Sequence, residues 1–202
     1  VTPIIEDFQR LARQCAFPWR EFWQHCIGTA ILSREVVSAV QSPSDESDYV
    51  GGLIHDVGKI VMAWTFPEHF TEIHRQAEPG QTDLLVLENE ILGMDHCELG
   101  ALYLERHRLP DLMVKSARFH HEPEKADAHQ AIIASVQIAD LLMRTAQSGC
   151  SGNFVPVTRV QCMSASGWSV LFPNHADAEH AIARASLHRS LERLPHILEG
   201  LV

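Results

Sequence analysis

Histidine and aspartate recur in this chain at positions suited to sharing a metal ion: His25, the pair His55-Asp56, His96, the pair His120-His121, and Asp140. Neutral imidazole nitrogen and carboxylate oxygen together suit borderline and hard divalent ions such as Zn, Mn, Fe, Ni or Mg. His55-Asp56 lies within Gly-Leu-Ile-His-Asp-Val-Gly-Lys, residues 52–59. Adjacent helical residues point about 100° apart, so both reach one ion only near a helix end or a distortion, and Gly58 offers a place for one. Asp140 interrupts the apolar run Ile138-Ala139-Asp140-Leu141-Leu142. A carboxylate buried there alone is costly, so a partner is expected beside it. His25, His55, Asp56 and Asp140 would ligate one ion and leave positions for water. His96, His120 and His121 would complete the shell of a second.

Plainer readings exist for the same residues. The buried set is also explained by a hydrogen-bonded network that ties helices together. His96 also reads as a helix-start residue beside a capping aspartate, and His120 or His121 as a cation welcome at a helix C-terminus. Lys59 and Glu21 read equally as solvated residues. His69, His74, His129, His175, His180, His188 and His196 are read as surface or packing residues.

The elements that must position these groups are helical. Phe22, Trp23, Cys26, Ala30 and Val37 form an apolar stripe over about 19–40 at helical spacing. The polar stretch 41–48 is a loop, with Asp48 as an N-cap, and a helix through Leu53 to His55 is disturbed near Gly58. Further helices are predicted over about 67–77, 82–92, 96–107, from Pro110 to His121, and over 130–146. Asp95 caps the third of these, with Glu98 three residues on. Pro110 stands at a first turn, and Glu122-Pro123-Glu124-Lys125 stops the helix before it. Residues 148–153 form a turn-rich linker, the segment 154–160 is too short to assign, and two helices follow, one after Asp177 and one reaching Leu198. Phe22, Trp23, Ile31, Ile132, Ile133 and Leu142 are assigned to the core.

Bulk numbers narrow the classes. A chain of 202 residues with 46% hydrophobic content supports one compact all-α domain. Its net charge of −10 and lack of a basic run argue against a nucleic-acid partner. No apolar stretch approaches the roughly 20 residues of a membrane span, so no membrane is expected. Cys15, Cys26, Cys97, Cys150 and Cys162 are odd in number and contain no C-x-x-C pair, which fits a reducing cytoplasm. The chain begins at Val1, as expected of a piece of a longer protein.

The order His, His-Asp, His, His-His, Asp on separate helices resembles the signature of the HD superfamily of metal-dependent phosphohydrolases. Three segments are similar to the HDOD domain, the HD-related output domain of bacterial signalling proteins. They are the run from Gly52 to Met62, the run from Glu88 to Pro110, and Phe-His-His-Glu-Pro at 119–123. The likeness covers about Phe22 to Arg144. It implies a compact helical bundle, residues 1–147, lacking most of the helices that usually precede the Phe-Trp-x-His segment, with residues 148–202 as a linker and C-terminal helices packed on it. It also implies one or two divalent ions (Fe, Mn, Zn, Ni or Mg) and a place in a larger signalling protein beside a regulatory protein or receiver domain. Lys59 resembles the lysine that contacts the scissile phosphate in active HD enzymes, with Asp56 as its catalytic companion, and Glu21 resembles an extra ligand in three-metal sites. The Gly-Tyr-Pro motif of cyclic di-GMP phosphodiesterases is absent, and Glu-Pro-Glu-Lys-Ala-Asp stands there instead. An output module is therefore the leading expectation. An active phosphohydrolase or phosphodiesterase on a nucleotide or other phosphate ligand is the second, and a purely structural domain the third.

Overall fold

The computed structural model describes residues 17–39, 46–78, 80–172 and 192–193. Among them every regular element is helical. Cys15, His175, His180, His188, His196 and the two helices expected beyond Asp177 lie outside the described residues. No described helix is long and apolar enough to cross a membrane.

The first helix, α1 (Trp19–Ala39), is the central post. Its Phe22 and Cys26 are buried with Phe17, Trp19, Phe70, Ile73 and Leu84 in an aromatic-rich core. Trp19 stacks on Phe70 with ring centroids 5.7 Å apart. α2 (Ser47–Ile54) packs along α1. Its N-cap residue is Glu46, in the left-handed region with φ 70°, and not Asp48. Asp48 lies instead inside the first turn, where it is buried and its Oδ1 meets Arg34 Nε at 3.5 Å.

The interruption expected at Gly58 falls earlier. α2 ends at Ile54, His55 and Asp56 form a turn, and α3 (Val57–Thr65) starts anew. Gly58 has another role: a Cβ there would lie 1.8 Å from the carbonyl oxygen of His96. Only glycine permits α3 to approach this closely.

α4 (Pro67–Ala77) and α5 (Leu84–Leu92) follow, the latter capped by Asp83, whose side chain accepts from the Leu85 N–H at 3.0 Å. α6 (His96–Arg106) is capped by Asp95, which accepts from the Glu98 N–H at 3.0 Å, as the spacing predicts. The Glu98 carboxylate turns away to Arg118, so the reciprocal half of a capping box is absent. α7 (Asp111–Phe119) has Pro110 as its N-cap residue, one place before the position expected, and ends before the paired histidines. A single 3-10 turn at Pro123–Lys125 leads to α8 (Gln130–Thr145), which lies along α1.

Two short helices, α9 (Arg159–Met163) and α10 (Ser166–Leu171), occupy the stretch after the linker, where sequence periodicity assigns none. Trp168 and Phe172 pack with Val36 and Ile138, fastening α10 to α1 and α8. Of the residues assigned to the core, Phe22 and Ile133 are fully buried; Trp23, Ile31, Ile132 and Leu142 are half-buried at its margin.

Candidate metal centre

The fold draws the histidines and aspartates into one pocket. His25 comes from the middle of α1, His55 and Asp56 from the turn between α2 and α3, His96 from the first position of α6, His120 from the turn after α7, and Asp140 from α8. All six residues are buried to 3% exposure or less. Asp56 is the hub: its Oδ2 lies 3.3 Å from His55 Nε2 and 4.0 Å from His25 Nε2. Its Oδ1 lies 3.3 Å from His96 Nε2 and 3.7 Å from His120 Nε2. On the far side, His25 Nε2 lies 3.1 Å from Asp140 Oδ1, off the line that a hydrogen bond needs. His121 is partly buried at the rim, its ring 4.0 Å from that of His120 and 5.5 Å from that of His96.

The other ring nitrogens fix the tautomers. His55 Nδ1 lies 2.7 Å from the Gly52 carbonyl, and His120 Nδ1 lies 3.0 Å from that of Ala117. His96 Nδ1 lies 2.7 Å from Glu88 Oε2, which also accepts from the His96 backbone N–H at 2.9 Å. Carbonyls and carboxylates only accept here, so each Nδ1 donates and each Nε2 presents a lone pair when the ring is neutral. Those inward Nε2 atoms, with His25 Nε2 and Asp56 Oδ1, are buried and lack a hydrogen-bond partner. Lone pairs facing an anionic oxygen in a dry pocket require a proton or a cation between them.

The electrostatics repeat the point. Burial would raise Asp56, but His55 and Lys59 hold it well below the usual carboxylate range. Burial would lower His55, yet the Asp56 carboxylate outweighs this and raises it. Burial likewise opposes protonation of His96, while the Cys97 sulfur and the Glu88 carboxylate carry it well above the ordinary imidazole value. His120 is pushed well down by burial and by its neighbours His121 and His55, and His121 falls to about 4 through burial and His96. Burial lowers His25 despite Asp140. A divalent ion would replace protons held by the raised imidazoles and relieve the crowding among the lowered ones.

Among the described residues there are three overlapping sets whose donor atoms lie within 4.8 Å of one another: His25, His55 and Asp140; His55, Asp56 and His120; and His96, Cys97, His120 and His121. The orphaned Nε2 atoms and the mixed nitrogen–oxygen donor set fit a divalent transition ion. The third set adds a thiol that sequence reasoning missed, although Cys97 stands beside His96. Glu88 was missed as well. It opens the polar triplet Glu88-Asn89-Glu90, and only the fold separates it from its exposed neighbours by burying it fully.

Lys59 is not solvated. It is buried, and its Nζ donates to Asp56 Oδ2 at 2.6 Å and to the Ser151 carbonyl at 2.8 Å. Ser151 belongs to the 148–153 loop, which closes over the pocket. The Cys150 N–H donates to the Glu21 carbonyl at 2.9 Å, and a Cβ on Gly149 (φ +72°) would lie 2.6 Å from that carbonyl and from His25 N. Glu21 therefore meets the loop through its backbone, and the residue itself is exposed. Cys26, Cys97, Cys150 and Cys162 are all free thiols.

Residues 2–123 match the family model of the HDOD domain. The chain belongs to the HDOD family. That match begins earlier than the likeness of the motifs at Phe22 and ends before Asp140. An HDOD domain protein of unknown function from Geobacter sulfurreducens has the same fold, with TM-score 0.73 at 21% identity over 87% of this chain and 61% of that one. A protein from Marinobacter aquaeolei VT8, provisionally named a signal transduction protein, gives 0.66 at 21% identity over 88% of this chain and 38% of that one. A protein from Shewanella amazonensis SB2B, provisionally named a phosphohydrolase, gives 0.58 at 17% identity over 87% and 65%. An uncharacterized protein of Treponema pallidum (strain Nichols) is 24% identical over 127 residues, 62% of this chain. The HDOD chain spans only 25% of that relative's length.

Proposed function

We propose that this HDOD chain is a signal-transduction output domain that holds one or two divalent ions in its histidine–aspartate pocket and works within a larger protein, next to a regulatory or receiver domain. The convergence of partnerless, buried Nε2 atoms on Asp56 Oδ1 carries the metal part of the reading. His25, His55, Asp56 and Asp140 would hold one ion, and His96, His120 and His121, with Cys97, the other. Bound there, an ion supplies Lewis acidity and a more acidic water. The chain's own residues fix the imidazoles from behind: Gly52, Glu88 and Ala117 hold each ring with its lone pair inward.

The state of Lys59 supports an output role over turnover. Its ammonium is directed to Asp56 and the Ser151 carbonyl inside the protein, which ties loop 148–153 to the metal pocket. Phosphohydrolysis is the second reading, supported by the full donor set. Elemental analysis of protein purified without added metal tests the metal content that both readings share, with at least about one transition ion per chain expected. Hydrolysis of a generic phosphodiester with added Mn or Ni, abolished by Asp56→Ala, would establish the second. Partner binding without turnover supports the output role.

A further inference from the structure

Beside the metal pocket is a cavity of about 190 Å³ whose lining includes His25, Arg144, Gln147, Ser148, Ser151 and Asn153. None of the residues lining it is acidic, on a chain whose net charge is −10. Arg144 is the cation in its wall, with a side chain 12% exposed. Its guanidinium is poorly used by the protein. Nη2 reaches the Val155 carbonyl at 3.3 Å, Nη1 stands 4.0 Å from Asp140 Oδ2, beyond hydrogen-bond range, and Nε is buried with no partner. A guanidinium carries five N–H donors in a planar fork; the protein takes one at Nη2 and leaves the buried Nε with none, so most of the fork is open to a ligand.

We infer that this cavity is a phosphoryl-binding subsite anchored by Arg144. A planar fork matches phosphate and carboxylate alike. Ser148, Ser151 and Gln147 also line the cavity and carry donors beyond the planar fork, which a phosphoryl group, with more oxygens than a carboxylate, can use. At about 190 Å³ the space is below the roughly 300 Å³ of typical small-molecule sites, so it takes inorganic phosphate or the phosphoryl end of a larger ligand, not a whole nucleotide. The loop that forms the wall is already braced. Asn153 Nδ2 donates to Asp83 Oδ2 at 3.0 Å, and the Val155 N–H donates to Asn153 Oδ1 at 3.2 Å. His25 is shared between cavity and metal pocket, so an oxyanion held here would lie next to any ion that His25 ligates. The inference deepens the proposed function by naming its ligand class.

The test is calorimetric titration of the full chain with inorganic phosphate, a nucleoside monophosphate and acetate, each on chelator-treated and on metal-loaded protein. Phosphate should bind at least tenfold more tightly than acetate. Arg144→Gln should weaken phosphate binding at least tenfold, and Arg144→Lys should fall between. Tighter binding of the monophosphate than of phosphate would mark a tethered phosphoryl group as the ligand, and equal binding the free ion; either result supports the subsite. Arg144-dependent binding that persists after chelation supports it even if the metal reading fails. Protection needs no variant: saturating phosphate should slow phenylglyoxal modification of Arg144 severalfold in the wild-type chain. Equal modification rates with and without phosphate, or acetate binding as tightly as phosphate, would overturn the inference.

Discussion

One carboxylate oxygen of Glu88 accepts both from the backbone N–H of His96, at 2.9 Å, and from its Nδ1, at 2.7 Å. The same atom therefore helps satisfy the start of α6 and aims the His96 lone pair at Asp56. Glu88→Gln keeps the shape but weakens the acceptor, and Glu88→Ala removes it. Metal affinity, read by titration against a competing chelator, should fall roughly 10- to 100-fold in the alanine variant, with a smaller loss for glutamine. Affinity unchanged in both would show that His96 is not a ligand.

Lys59 stands where a cation is most needed when no ion is bound. Lys59→Met leaves Asp56 buried among imidazoles without its closest countercharge. Removing one partner of a buried pair costs about 3–5 kcal/mol, so chelator-treated protein should lose roughly that much unfolding free energy. In metal-loaded protein the ion offsets the same carboxylate, and the loss should be clearly smaller. Equal losses in the two states, measured by urea unfolding, would separate Lys59 from the metal site.

Gly58 sets the distance between α3 and α6. Gly58→Ala places a methyl group 1.8 Å from the His96 carbonyl oxygen, a backbone atom that cannot rotate away. Overpacking of this kind costs about 1–3 kcal/mol or more, and the shift would also move His96. Both the unfolding midpoint and metal affinity should fall. An unchanged midpoint would mean that the helices separate freely.

His74, near Lys59, Glu88 and His96 but outside the ligand set, gives the fold a further pH dependence. Its ring packs 4.1 Å from that of Phe70 and 4.7 Å from that of Phe17, and its Nδ1 donates to the Phe70 carbonyl. Burial lowers its pKa to about 4 from 6.5. The unfolded chain therefore takes up a proton more readily, so the contribution is complete above about pH 6.5 and lost as pH falls through about 4. The shift corresponds to at most about 3 kcal/mol. His74→Leu should flatten the stability–pH curve over that window; a curve parallel to that of the wild type would contradict the assignment.

The convergent pocket was legible in the sequence because its residue types leave few alternatives. Asp140 within an apolar run and His-Asp beside a glycine each demand a partner, and each finds it in this pocket. The exact break was less legible: periodicity marks an interruption near residues 55–58, but only the approach of α6 shows that Gly58 serves packing and that the turn lies at His55-Asp56. Lys59 could be read from sequence as solvated or as phosphate-facing, and its burial depends on loop 148–153, nearly a hundred residues away in the chain. α9 and α10 were not legible, since helices this short owe their stability to tertiary contacts. Trp168 Nε1 donates to the Cys162 carbonyl at 2.9 Å, and the Gly167 N–H donates to Gln137 Oε1 at 2.7 Å. Arg144 reads from sequence as an ordinary cation near a helix C-terminus.

The most direct test of the central claim is anomalous diffraction from crystals of the full chain grown with Mn or Zn. A bound ion should give a peak about 2.0–2.3 Å from the inward Nε2 atoms of the pocket histidines and from an oxygen of Asp56 or Asp140. Peaks confined to exposed residues, with the pocket histidines and Asp56 joined only to one another, would contradict it.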